Sequence, residues 1–272
     1  MAEWLGTGLQ NRLQQFESAR DLKAQGDRLE LSLEIYLINN NMISDGIRVI
    51  AFDADDTLWV NEPFFQNVEK KFCALLKEYG TTQEISQELF HTEMQNLDIY
   101  GYGAKSFTLS LVETALRVSN NSIDSVRINN IITMGKSLLD IPIQLLDGVQ
   151  SLLNLLYGHY EIIMATKGDL LDQQRKLKRS KLEKYFHHVE IMSDKTEDDY
   201  MKLLSKLKIK SDNFLMIGNS LKSDILPVLN IGGYGAYIPY HVTWLHEKSD
   251  EKVSDKRLMQ AESLSQLIKE FE

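Results

Sequence analysis

Arg48-Val49-Ile50-Ala51-Phe52-Asp53-Ala54-Asp55-Asp56-Thr57-Leu58-Trp59 is the stretch on which the reading of this chain turns. Its apolar run is of strand length, too short for a helix and partly β-branched, and it leads directly into Asp53, Asp55 and Asp56. A buried parallel strand ends at a functional edge in this way. The pattern predicts a strand over Val49 to Asp53. In an open α/β sheet, ligands bind in the crevice beyond the carboxyl ends of the strands, so Asp53 and Asp55 are expected to project into it together. Two carboxylates that close stay ionised only with positive charge between them, and a divalent cation is the expected compensator. Taken alone, Asp55, Asp56 and Thr57 also suit a turn and helix N-cap. A calcium loop does not fit, because Leu58 stands at the sixth position, where such a loop needs Gly, and Phe64 at the twelfth, where it needs Glu.

Working outward, the 272 residues are 43% hydrophobic and 25% charged, which is enough for one large globular domain or two smaller ones. Asp and Glu (39) outnumber Lys and Arg (30), giving a formal net charge of -9, and no basic block offers a footprint for nucleic acid. A single cysteine, Cys73, excludes an intramolecular disulfide and a cysteine metal cluster. No apolar segment approaches the roughly 18 residues that span a membrane, and no positive region followed by an apolar stretch opens the chain. The expectation is a cytoplasmic protein with a small-molecule partner, neither nucleic acid nor membrane; oligomeric state is left open.

Residues 1–46 read as an N-terminal extension, mostly helical: Trp4, Leu5, Leu9, Leu13 and Phe16 recur at near-helical spacing, while Leu29 to Leu37 alternate in a way that suits either a helix or an added edge strand. After the opening motif, Asn61-Glu62-Pro63 signals a turn, and Phe64, Phe65, Val68, Phe72, Leu75, Leu76 and Tyr79 mark one helical face closed by Gly80. Helical patterns continue over Ile85–Met94, Leu109–Val118 and Ile128–Leu139, so 61–142 is expected to be an all-helical insertion. Within it, Tyr100-Gly101-Tyr102-Gly103-Ala104-Lys105 forms a tight interhelical loop. Tyr102 and Lys105 either reach a substrate from that loop or simply pack and solvate it.

The periodic core resumes near 143. Glu161 to Thr166 predicts a second buried strand ending on a hydroxyl, followed by Lys167. Residues 170–184 are a charged helix, and His187 to Met192 predict a third strand, whose adjacent histidines point to opposite faces and serve no common metal. Lys195 follows it. Phe214 to Gly218 predict a fourth strand, leading through Asn219 and Asp224 into a helix. A turn and fifth strand cover Gly232–Pro239, Trp244-Leu245-His246 is an unassigned loop, and residues 257–271 suggest a C-terminal amphipathic helix.

The segment Asp53-Ala54-Asp55-Asp56-Thr57 after a hydrophobic strand resembles the first motif of the haloacid dehalogenase (HAD) superfamily, Asp-x-Asp-x-Thr. Thr166 resembles the second motif, Lys195 the basic third motif, and Gly218-Asn219-Ser220-Leu221-Lys222-Ser223-Asp224 the fourth, Gly-Asp-x-x-x-x-Asp, with Asn219 in its first acidic place. Lys167 stands where many members carry Asn, and is the reserve candidate for the basic role. The helical insertion after the first motif resembles the family's cap. The resemblance implies an α/β fold, a Rossmann-like parallel sheet flanked by helices, built from 47–60 and 143–272, with 61–142 as a helical cap domain. It further implies that Asp53 is the nucleophile and Asp55 the general acid and base, with Thr166 and Lys195 holding the phosphoryl charge. Magnesium would be bound by Asp53, Asp55 through its carbonyl, Asn219 and Asp224. Dehalogenases of the family have no carboxylate at the place of Asp55, so the expected activity is a magnesium-dependent phosphatase acting through an aspartyl phosphate on a small phosphomonoester. The alternatives are a phosphosugar mutase or phosphotransferase, and a catalytically weak HAD-fold binding or regulatory protein, the latter suggested by Asn219 and the N-terminal extension.

Overall fold

A computed structural model describes residues 46–249 and 253–271; the expectation for residues 1–45 lies outside the described residues. Strand β1 (Val49–Phe52) is buried at every position, as a strand covered on both faces must be. It pairs in parallel with β2 (Glu161–Lys167) on one side and β4 (Phe214–Gly218) on the other. With β3 (His188–Met192), β5 (Tyr234–Tyr237) and β6 (Leu258–Gln260), the sheet runs β3-β2-β1-β4-β5-β6, all parallel. This is the doubly wound order, and its topological switch point lies between β1 and β4. The register pairs Phe52 with Met164 and with Ile217, so the chain leaves all three strands at one edge. That common edge is where Asp53, Thr166 and Asn219 come together.

Four helices occupy the gap between β1 and β2: α1 (Glu62–Leu75), α2 (Thr82–Tyr100), α3 (Ala104–Val118) and α4 (Ser125–Leu138). They share a core of their own, with Phe72, Leu76, Ile85, Leu89, Leu111 and Ile131 buried against one another. Local chemistry fixes their starts. Thr81 and Glu84 form a reciprocal capping box at α2, and the Asp124 carboxylate accepts from Arg127 N at α4. The remaining helices flank the sheet: α5 (Val149–Leu156), α6 (Leu170–Ser180), α7 (Glu197–Leu207), α8 (Leu226–Asn230, entered through a π-helical turn over Leu221–Ile225) and α9 (Leu264–Leu267). One face of the sheet buries Val49, Ala51, Ile163, Phe214 and Met216 against Tyr200 and Leu203 of α7.

The C-terminal segment departs from the expected amphipathic helix over 257–271. Leu258–Gln260 instead adds strand β6 to the edge of β5, and only Leu264–Leu267 is α-helical. The open backbone groups of β5 supply hydrogen-bond partners that outweigh local helical periodicity, and Ser263 then caps the short helix by accepting from Gln266 N. His187, just before β3, and His188, its first residue, stay away from the sheet's functional edge: His187 pairs with Ile162 and His188 with Glu190.

Helices α3 and α4 approach closely at Gly135, where an added Cβ would fall 2.0 Å from Thr108 Oγ1. Gly135→Ala is therefore expected to destabilise the helical lobe by about 1–3 kcal/mol, the usual cost of overpacking. A lowered midpoint in chemical denaturation checks this; an unchanged midpoint would show that the two helices can separate freely.

Candidate active site

The site is built where β1 and β4 part. Asp53 follows β1 and is anchored by its own N–H, which donates to Ile217 O at 2.9 Å. Its carboxylate accepts from Lys195 Nζ at 2.5 Å and from Thr57 Oγ1 at 3.2 Å. Lys195 also donates to Asp224 Oδ1 at 2.6 Å, and its side chain is 1% exposed. One ammonium thus bridges the carboxylates delivered by β1 and by the turn after β4. Burial pushes the Asp53 carboxyl up to about 7, with Lys195 opposing the rise. Burial alone would lower the Lys195 ammonium, but Asp224 and Asp53 outweigh it and hold the group above its ordinary range.

The fourth motif is shaped to present Asp224. Gly218 ends β4, and a Cβ there would lie 2.3 Å from Asp224 Oδ2, so only glycine lets that carboxylate lie against the strand end. Asp224 Oδ2 accepts from Ser220 N at 2.9 Å. Asn219 Oδ1 accepts from Thr57 Oγ1 at 3.1 Å, so Thr57 ties the first motif to the fourth. Thr166, 1% exposed, sits at the end of β2 on the same cavity, with its hydroxyl donating to Lys167 O.

Asp55 occupies a different environment. Its carboxylate accepts from Trp59 Nε1 at 2.7 Å, Gln173 Nε2 at 2.8 Å and Lys176 Nζ at 3.0 Å. Lys176 reaches on to Asn61 Oδ1 at 2.8 Å and is almost fully buried. Asp56, held in the left-handed region at φ 61°, turns the other way and accepts from Asn61 N and Glu62 N, capping α1. Asp55 therefore faces the cavity while Asp56 starts the next helix.

Sequence reasoning missed Gln173 and Lys176. Both belong to α6, which reads from sequence simply as a charged helix, yet Asp172, Gln173 and Lys176 are buried while Leu170 and Leu171 are exposed. The helix presents its polar face to the site, so the rule that apolar residues mark the inner face misorients it.

A third wall was also missed. The turn Leu245–Glu247 lies over the β4 exit, where Glu247 accepts from Lys167 Nζ (2.6 Å), Ser220 Oγ (2.5 Å) and Ser223 Oγ (2.7 Å). Lys167 is thereby held by Glu247 and by the face of Tyr102, 4.1 Å from the ring centroid, while Lys195 takes the place between the aspartates. Tyr102 also donates to Asp194 Oδ1 and meets Trp244 edge-on at 6.2 Å. Burial and Asp194 raise its phenol well above the ordinary range. Lys105 does not line the cavity: it pairs with Asp169 at 2.9 Å on the exposed rim. Among the motif residues, Tyr102, Thr166, Lys195, Asn219 and Asp224 line one cavity of about 190 Å³ with Asp53 and Asp55.

Metal-ligand chemistry can be weighed from the donors present. Asp53, Asp224, Asn219 and the Asp55 carbonyl supply oxygen only, the set that suits magnesium. Among the described residues no three His, Cys, Asp or Glu side chains converge as they would on a fully protein-ligated ion. Magnesium bound through one or two carboxylates and retaining several waters is compatible with such a site.

A doubly wound parallel sheet with a carboxylate-lysine cluster at its switch point, and a helical insertion lining the same cavity, defines a class of Rossmann-type α/β hydrolases. A sequence profile described as haloacid dehalogenase-like hydrolase matches residues 47–232, and the chain belongs to that family. A haloacid dehalogenase-like family hydrolase from Xanthomonas campestris is 34% identical, covering 84% of this chain and 93% of its own, with a TM-score of 0.74. The HAD-hydrolase YfnB from Bacillus subtilis, solved bound to magnesium, shares the fold at 16% identity and TM-score 0.58, covering 83% of this chain and 98% of its own. A 2-haloacid dehalogenase from Pseudomonas syringae does so at 17% and 0.55, covering 82% and 97%. No protein of curated function matches the sequence. No helix among the described residues is long and apolar enough to cross a membrane.

Glu247 is the test of the third wall. Burial raises its carboxyl, but Lys167 and the two serine hydroxyls outweigh it and hold the group at about 2. A carboxyl depressed on folding stabilises above its unfolded pKa and loses that contribution as pH falls through its folded pKa. Glu247→Gln is expected to cost roughly 1.5–3 kcal/mol at neutral pH. The gap between native and variant melting temperatures should close between about pH 5 and pH 2. A constant gap across that range would mean that charge is not what Glu247 contributes.

Proposed function

We propose that this chain is a magnesium-dependent phosphomonoesterase. The observation that carries the reading is Asp55: a carboxylate held by Trp59, Gln173 and Lys176 on the same cavity as Asp53. A halide leaves as a stable anion and needs no proton, whereas an alkoxide does, so a second positioned carboxylate is of use in ester hydrolysis and redundant in dehalogenation.

In this reading Asp53 attacks phosphorus, the bond from phosphorus to the ester oxygen breaks, and Asp55 gives its proton to the departing alcohol. A water then attacks the phosphorus of the aspartyl phosphate and passes a proton to Asp55; inorganic phosphate leaves and the Asp53 carboxylate is restored. Lys195 favours the anionic form of Asp53 against the cost of burial and offsets the repulsion between two anions as they meet. Thr166 offers a neutral hydroxyl to a phosphoryl oxygen, adding no charge beside the aspartates. Asp53, Asp224, Asn219 and the Asp55 carbonyl would hold magnesium, which supplies charge neutralisation to the transferring group. Tyr102 closes the cavity from the cap, and Lys105 acts on the rim through Asp169 rather than on the reacting atoms.

The experiment is phosphate release from a broad panel of phosphomonoesters, with magnesium and with chelator. Release that needs magnesium, disappears in Asp53→Asn and falls roughly 10²–10⁴-fold in Asp55→Asn is the expected result. Halide release from 2-haloacids, undiminished in Asp55→Asn, would overturn the reading.

A further inference from the structure

The cap wall of the cavity is acidic where a phosphatase pocket would be expected to avoid more negative charge. Glu62 and Glu69 lie on one face of α1, at a spacing of i and i+7, with Phe65 between them on the same face, and Glu93 faces them from α2. All three are half-buried and line the cavity that contains Asp53. Among the described residues no Lys, Arg or His forms an ion pair with any of them, although fifteen ion pairs form elsewhere. Their hydrogen bonds come from neutral groups: Ser86 Oγ to Glu69, Gln66 to Glu62 and Trp244 to Glu93. Burial pushes both Glu62 and Glu93 up to about 8, helped by Asp56 and Glu69 at Glu62 and by Glu69 and Glu62 at Glu93.

Two further observations point to a ligand with donors. Asp172 and Gln173 line the same cavity, are 4% and 2% exposed, and Asp172 Oδ1 and Gln173 Oε1 have no hydrogen-bond partner. Buried acceptors are ordinarily satisfied, so unsatisfied ones beside a cavity mark what its occupant supplies. The carboxylates do not converge as ligands of a metal ion. Trp244, which lines the same cavity and hydrogen-bonds Glu93, adds an indole ring of the kind that favours organic cations.

We infer that the alcohol portion of the substrate carries a protonated amine, seated against Glu62, Glu69 and Glu93 while the phosphate lies at Asp53. The inference rests on the phosphomonoesterase reading and names its substrate class. An ammonium brings N–H donors to an acceptor-rich wall, favours ionisation of carboxyls that burial holds protonated, and lets an acidic pocket admit a phosphate ester. A neutral or anionic alcohol of the same size gains none of these terms.

The test compares pairs of esters matched in size: 2-aminoethyl phosphate against n-propyl phosphate, and glucosamine 6-phosphate against glucose 6-phosphate. Hydrolysis by the native protein is measured together with calorimetric binding to Asp53→Asn, which reads the pocket without turnover. The expected result is a preference of about tenfold or more for the amine in at least one pair. That preference should fall toward parity in Glu93→Gln and in Glu62→Gln, each checked for an unchanged thermal midpoint. If esters are hydrolysed and bound with no preference for the amine, or if both variants keep the preference, the inference is overturned while the phosphatase reading stands. If no phosphomonoester is hydrolysed but the amine is still bound preferentially through Glu93, the cation pocket stands and the reaction assignment falls. Neither hydrolysis nor preferential binding would overturn both.

Discussion

The ammonium of Lys195, set between the carboxylates of Asp53 and Asp224, is the interaction on which the site depends. Both aspartates are buried, and two such charges side by side are costly unless a cation stands between them. Lys195 arrives on the loop after β3, Asp53 on β1 and Asp224 on the turn after β4, so three separate chain segments meet at one ion cluster. The parallel register makes this possible, because it brings the ends of β1, β2 and β4 to a common edge. Thr57 then binds the first and fourth motifs to each other through Asp53 and Asn219. The same cluster explains why Gly218 must be glycine, since any side chain there would occupy the place of the Asp224 carboxylate.

Around that cluster, charge is sorted by distance from the reacting centre. Lys195 serves the buried aspartates, Lys176 serves Asp55, and Lys167 is turned away toward Glu247. Each of these lysines is satisfied by its own acid, and among the described residues Glu62, Glu69 and Glu93 of the helical lobe have no Lys, Arg or His ion-pair partner. Tyr102 joins the two parts of the cavity, touching Asp194, Lys167 and Trp244 from the loop between α2 and α3. Gly103 permits that approach: it sits at φ 107°, and a Cβ there would lie 3.2 Å from Asp169 N.

The residues that sequence reading identified are those whose chemistry is tied to a strand end. A short apolar run followed by acids, a hydroxyl or a glycine is a local pattern, and the resemblance of those patterns, in order, to the family's motifs singles out Asp53, Asp55, Thr166, Asn219 and Asp224. Gln173, Lys176 and Glu247 carry no such mark. Lys176 is one basic residue in a helix rich in them, and Glu247 stands in a loop with no periodicity. The apparent C-terminal helix failed for a related reason, since the edge of β5 is absent from any local window and yet decides that Leu258–Gln260 becomes a strand.

By itself, then, the sequence determined the parallel α/β core and the helical insertion, which follow from hydrophobic period and from residue types at strand ends, properties of neighbours along the chain. The family and the order of the motif residues come from the resemblance of those strand-end motifs to the haloacid dehalogenase pattern. The tertiary structure decided which lysine bridges the aspartates, what holds Asp55, that Lys105 stays on the rim while Tyr102 enters the cavity, and that Glu62, Glu69 and Glu93 face the cavity without an ion-pair partner among the described residues. Those outcomes depend on distances of a few ångströms between segments far apart in sequence, and electrostatic partnership is set by that separation and by burial rather than by order along the chain.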